Sequence, residues 1–140
     1  MSFALYALLG PAAPIVTNES LASDLARHFA GQEAFSVQFE RLPFAAARTL
    51  ALRWDRWLVR VAFEEGQDVV ADSQALCKML GVSAPPALTQ VARRIRVVFG
   101  DDPDRRYTNQ IVYVMEFLAG IPDTTVIDPQ QKDIVGEPRA

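Results

Sequence analysis

Hydrophobic and polar positions along the chain follow two different periods, which predict a mixture of strands and helices. The run Phe3–Leu9 is almost wholly apolar and ends at Gly10-Pro11, which is typical of a short buried strand. From Asn18 to Ala30 the apolar residues Leu21, Leu25 and Phe29 recur every fourth position, as expected for an amphipathic helix. Strict alternation of apolar and polar residues from residue 35 to residue 39 then predicts a half-buried strand.

Two alternating runs around a polar break predict a β-hairpin at residues 50–63. The first run ends at Trp54, Asp55 and Arg56 form the break, and the second begins at Trp57. Asp-Arg is a poor pair for a type I′ turn because neither residue favours a positive φ, so a longer turn or one bent strand are the alternatives. In a two-residue hairpin Trp54 and Trp57 lie opposite each other, whereas on a single strand they point to opposite faces.

The second half of the chain predicts three helices followed by a strand. The helices cover residues 68–80, about 86–99 and about 107–119; the strand covers 124–127, and residues from Ile134 onward are expected to be loosely docked. The predicted order is β-α-β-β-β-α-α-α-β. We therefore expect a single α+β domain over residues 1–140, with a small mixed or antiparallel sheet and helices packed mainly on one face.

Composition narrows the class of protein. Half of the 140 residues are apolar, which is sufficient for a core, and the net charge of −3 argues against non-specific binding to nucleic acid or anionic membranes. No apolar run reaches the length of about 20 residues that a membrane span needs. The first ten residues carry no Lys or Arg, unlike a secretory signal, so a cytoplasmic location is expected.

The sequence offers few residues for chemistry. His28 is the only histidine and lies near the end of a predicted helix, where the helix dipole favours a cationic side chain. Cys77 is the only cysteine and lies on an apolar helix face, which predicts a buried, inert thiol. Neither a glycine-rich phosphate loop nor a G-x-S-x-G nucleophile motif occurs. We therefore expect no catalytic residue, no cofactor and no metal.

An acidic stretch comprising Asp101, Asp102 and Asp104 suggests a calcium loop, but its spacing does not fit. An EF-hand loop needs glycine at its sixth position and glutamate at its twelfth. Counting from Asp102, these positions hold Tyr107 and Tyr113, and counting from Asp101 they hold Arg106 and Val112. The stretch is better interpreted as a solvated turn and a helix N-cap.

The densest basic region consists of Arg93, Arg94, Arg96, Arg105 and Arg106. Clustered arginines could hold a phosphate or a carboxylate-rich partner. Because aspartates adjoin them in sequence, a self-contained ion-pair network is the favoured interpretation, and a ligand site is the alternative.

Aromatic residues beside arginines are typical of protein interfaces, and the hairpin carries such a group. The alternative is that both tryptophans belong to the core. Acidic residues can steer a protein towards a basic partner. The predicted partner-binding residues are Trp54, Asp55, Arg56, Trp57, Asp101, Asp102 and Asp104.

The stretch Ile111–Val135 combines an apolar helix, a glycine break and a strand ending in Asp-Pro. It resembles the closing segment of small bacterial α+β immunity proteins, which bind and block a cognate toxin. The resemblance implies that this chain binds and neutralises a partner protein, such as a toxin domain with a basic surface. We expect the chain to be a monomer or a homodimer. There are two alternatives. One is a secretion or folding chaperone, and the other is a small ligand-binding or enzymatic domain that uses His28 or the arginines of residues 93–106.

Overall fold

The structure of the protein, a computed structural model, describes residues 3–41, 43, 49–81 and 84–138. The strands within these ranges are β1 (Phe3–Leu9), β2 (Phe35–Glu40), β3 (Thr49–Trp54), β4 (Trp57–Glu65), β5 (Arg93–Phe99), β6 (Thr124–Asp128) and β7 (Asp133–Gly136). The helices are α1 (Asn18–His28), α2 (Gln67–Leu80) and α3 (Thr108–Ala119), with a 3₁₀ helix at Pro86–Gln90. None of these helices is long and apolar enough to cross a membrane.

All seven strands form one antiparallel sheet with the order β2-β3-β4-β5-β1-β6-β7, which confirms the α+β class. β5 is the central strand and pairs with β4 on one side and with β1 on the other. The direct pairing of Trp54 with Trp57 makes β3 and β4 a two-residue hairpin rather than one bent strand. Asp55 supplies the positive φ, 57°, that so short a loop requires.

The sheet carries helices on both faces. The larger core lies on one face of the sheet and includes Leu5, Ala7 and Leu9 of β1. Two helices pack on this face: α1 through Leu21 and Leu25, and α3 through Val114 and Leu118. Since neighbouring residues of a strand point to opposite faces, Leu8 lies on the other face, where it packs against the apolar side of α2 and the 3₁₀ helix. Helices α1 and α3 therefore pack on one face of the sheet, while α2 covers part of the opposite face.

Two sequence predictions are wrong. The helix expected from about Pro86 to Phe99 is a 3₁₀ helix followed by strand β5. The tail expected to be loosely docked contains β7, which pairs with β6 at the edge of the sheet. The real order of elements is therefore β-α-β-β-β-α-β-α-β-β.

Candidate functional site

The antiparallel sheet brings the predicted partner-binding residues to one end. The β3–β4 hairpin turn with Asp55 and Arg56 lies beside the loop that connects β5 to α3 (residues 100–107), because Gly100 N donates to the carbonyl oxygen of Leu58 at 2.8 Å. This loop carries the three aspartates. A Cβ on Gly100 would lie 2.9 Å from that carbonyl oxygen, so the close approach of loop and hairpin requires glycine. We name this region the hairpin end of the sheet.

Trp54 and Trp57 are only 3% and 5% exposed, which supports their alternative interpretation as core residues. Their side chains hold the hairpin end together. The indole nitrogen of Trp57 donates to the carbonyl oxygen of Gly100 at 3.0 Å, and its ring stacks on Tyr107 with 4.5 Å between centroids. The indole nitrogen of Trp54 donates to Gln32 Oε1 at 2.8 Å. The two tryptophans thus fix the hairpin to the segments before β2 and after β5.

The three aspartates of the loop have different environments. Asp102 is partly buried, and its two carboxylate oxygens accept the backbone N–H groups of Arg106 and Tyr107 at 2.9 Å each. It therefore organises the turn that leads into α3, in agreement with the turn interpretation, but the N-cap position of α3 is Tyr107, which has no side-chain capping bond. Asp101 and Asp104 are exposed.

A polar cleft opens at the hairpin end, with a volume of about 770 Å³. It combines carboxylates, amides and aromatic rings from the segment before β2, from the hairpin and from the start of α3. Its lining consists of Gln32, Glu33, Ala34, Trp54, Asp55, Arg106, Tyr107, Asn109, Gln110 and Tyr113. Sequence reasoning singled out Trp54, Asp55 and Arg106 but missed Glu33 and Gln110, which no motif marks.

The backbone is strained at the same place. Three residues at the hairpin end other than glycine take positive φ angles: Ala34 (62°), Asp55 (57°) and Arg105 (55°). For L-residues the left-handed region is unfavourable, and such conformations persist only where the surrounding structure enforces them. Among the described residues Asp123 (53°) and Lys132 (54°) take the same conformation in turns away from the cleft, so it accompanies tight turns generally.

The arginines of residues 93–106 do not form one cluster. Arg94 and Arg96 do form an ion-pair network, but their partners are Glu64 and Asp72 rather than the aspartates that follow them in sequence. Arg93 donates to backbone carbonyl oxygens of the β1–α1 connection. Of these five arginines only Arg105 and Arg106 lie at the hairpin end, so the alternative, a common ligand site for all five, is not formed by the described residues.

His28 lies in the last turn of α1, as predicted, and is exposed. Its ring meets Phe117 of α3 edge to face at 5.3 Å, beside a groove of about 420 Å³ between the two helices. Asp24 and Glu116 also line this groove, whose walls are mainly apolar side chains. Within the described residues, no group of three His, Cys, Asp or Glu side chains is placed to hold a metal ion.

Cys77 is 9% exposed and packs with Leu76 and Leu80 of α2, in agreement with the predicted buried thiol. Burial raises the pKa of the Cys77 thiol above its ordinary value of 9.0 because an apolar environment disfavours the thiolate. Since only the thiolate reacts readily, we expect slow modification of the native protein at neutral pH.

The raised pKa of Cys77 also predicts a pH dependence of stability. The folded protein holds the thiol proton more tightly than the unfolded chain, so the free energy of unfolding falls as pH rises above 9.0. Urea unfolding of the wild type and of Cys77→Ala at pH 7 and pH 10 measures this effect, and the wild type should lose more stability between the two pH values. Equal losses in both proteins would contradict the prediction.

No family model matches the chain, and comparisons with the curated proteins and with the solved structures found no match.

Proposed function

We propose that the chain is a protein-binding module that uses the hairpin end to cover a basic surface of its partner, most specifically as an immunity protein that neutralises a toxin. The observation that carries this proposal is that the hairpin turn with Asp55 and the loop with Asp101 and Asp104, distant in sequence, lie at the same end of the sheet, where Asp55 also lines the cleft. Glu33 adds a further carboxylate to the cleft lining. Arg56, Arg105 and Arg106 offset part of this charge, which leaves the region acidic.

The proposal is supported by the rigidity of this region. The bond from the Trp57 indole to Gly100 joins the hairpin to the β5–α3 loop, and the bonds that Asp102 accepts from the backbone N–H groups of Arg106 and Tyr107 order the loop itself. A surface that is already ordered loses little conformational entropy on binding, which favours tight association. Carboxylates on a rigid surface also accelerate encounters with a basic partner and fix its orientation.

The proposal is tested with the protein encoded by the neighbouring gene. We expect a stoichiometric complex in size-exclusion chromatography with light scattering, and an association rate that falls steeply as salt concentration rises. The double variant Asp55→Lys/Asp104→Lys should slow association by about tenfold or more at low salt, because it replaces attraction by repulsion.

A matched control carries the same change of charge elsewhere. Glu65, at the opposite end of β4, and Glu137, after β7, are both exposed. Glu65→Lys/Glu137→Lys should leave the association rate within about twofold of the wild type, since only local charge is expected to steer this encounter. Equal effects of both double variants, or no complex with any neighbouring gene product, would contradict the proposal.

A further inference from the structure

One polar atom of the cleft lacks a hydrogen-bond partner. The side-chain oxygen Oε1 of Gln110 is buried, and it accepts no hydrogen bond from any described residue. Buried polar atoms in folded proteins are nearly always satisfied, so a buried acceptor without a partner calls for an explanation. Gln110 lies on α3 and lines the cleft, but its Oε1 is closed to solvent, so the amide has to turn towards the cleft before a bound group can supply the missing donor.

The rest of the lining suits a cation with several N–H donors. Asp55 and Glu33 both line the cleft, and neither forms an ion pair with another described residue. Tyr107 and Tyr113 add aromatic rings, and Tyr113 is 40% exposed. A guanidinium group carries five N–H donors in one plane and stacks on aromatic rings, whereas an ammonium group is a compact, strongly hydrated charge.

We propose that this cleft binds the guanidinium group of an arginine side chain, which the partner protein inserts between the carboxylates of Asp55 and Glu33 and the amide oxygen of Gln110. This inference rests on the proposed function and names the group that the hairpin end recognises. Arg106 lines the same cleft and its like charge opposes the bound cation. Its removal should therefore strengthen binding, an effect opposite in sign to removal of a carboxylate.

The chain provides its own reporters for a direct titration. Trp54 and Trp57 are the only two tryptophans. The indole N–H of Trp54 donates to Gln32, which lines the cleft, while that of Trp57 donates to Gly100. In NMR spectra of the ¹⁵N-labelled full chain, Nα-acetyl-argininamide should shift the Trp54 indole resonance saturably and the Trp57 resonance less. Nα-acetyl-lysinamide should bind at least about fivefold more weakly, because it lacks the planar set of donors.

Three variants and one control separate recognition from general charge effects. Asp55→Asn and Gln110→Met should each weaken binding of the arginine amide by about fivefold, through loss of an acceptor. Gln110→Met should not lower the midpoint of urea unfolding, because it also removes the unpartnered oxygen. Arg106→Gln should strengthen binding of the arginine amide by about threefold. Arg105→Gln makes an equal change of charge outside the cleft lining and should change this affinity by less than about 1.5-fold.

Failure of this inference can be distinguished from failure of the proposed function. No saturable shift with the arginine amide, equal binding of the lysine amide, or no effect of Gln110→Met on binding would overturn arginine recognition, even where the neighbouring gene product still forms a complex. A saturable, arginine-selective shift would support the inference even if no complex with a neighbouring gene product were found.

Discussion

Replacement of Trp57 by alanine is expected to lower the free energy of unfolding by about 3–5 kcal/mol, the usual cost of deleting a large buried aromatic side chain. Trp57 is 5% exposed and stacks on Tyr107, so the deletion leaves a cavity between the sheet and the start of α3. The carbonyl oxygen of Gly100 also loses its indole donor. A loss of this size is a large fraction of the 5–15 kcal/mol by which small domains are typically stable.

Trp57→Phe is the matched control for this prediction. It keeps an aromatic ring opposite Tyr107 and removes only the second ring and the N–H donor, so we expect a cost of about 1–2 kcal/mol. Urea unfolding followed by circular dichroism measures both variants, with fluorescence of the remaining Trp54 as a second probe. A cost below about 1 kcal/mol for Trp57→Ala would show that Trp57 does not join the hairpin to the β5–α3 loop.

Replacement of Glu64 by leucine is expected to cost about 2–4 kcal/mol, because it removes the carboxylate shared by two arginines of the central strand. Glu64 Oε1 accepts from Arg94 Nε at 2.8 Å, and its Oε2 lies 3.3 Å from Arg96 Nη2. Arg94 is 7% exposed, so after the substitution a buried guanidinium retains, among the described residues, only Asp72 as an ionic partner. A buried charge that loses a partner is more costly than one that is removed altogether.

Arg94→Met provides the contrast that makes this prediction specific. Methionine fills much of the same space without a charge, and the carboxylates of Glu64 and Asp72 keep 28% and 57% of their side-chain surface exposed to water. We therefore expect a cost of about 1 kcal/mol, which includes the loss of the guanidinium contact over the Tyr6 ring at 4.8 Å. The two variants are compared by urea unfolding at the same pH, and a larger cost for Arg94→Met would contradict the argument.

Local patterns predicted most elements of the fold correctly. The i, i+4 spacing of Leu21, Leu25 and Phe29 identified α1, and alternation identified β2, β3 and β4 within two residues of their real ends. These elements have one buried and one more polar side, so their periodicity is visible in the sequence. The hairpin was also predicted correctly. Its Asp-Arg turn is a poor pair by local preference, but the turn forms because the cross-strand packing of the two tryptophans fixes the register.

The central strand β5 was the principal error, and its arginines explain it. Leu88, Val91, Ile95 and Val98 have helical spacing, but Ile95, Val97 and Phe99 also alternate with polar or partly exposed positions. Arginines are unusual in a central strand, and Arg94 is tolerated there because Glu64 and Asp72 neutralise it. Those partners lie on β4 and α2, so the signal that allows the strand is tertiary and cannot be found within residues 86–99.

The candidate site was predictable in part. Composition suggested Asp55 and the aspartates of residues 101–104 as partner-binding residues, but only the strand order brings their two segments to the same end of the sheet. The cleft itself depends on Glu33 and Gln110, whose roles follow from their position beside the hairpin and not from any local pattern. Chemistry that is assembled from single residues on several elements leaves little trace in one sequence.

The pairing of β1 has a consequence for synthesis of the chain. Both neighbours of β1 are made late, since β5 begins at residue 93 and β6 at residue 124. At typical translation rates the ribosome needs on the order of 10 s to reach β5 after completing β1. During this interval the first strand is a nascent apolar segment with both edges unpaired, which exposes it to aggregation until its partner strands are made.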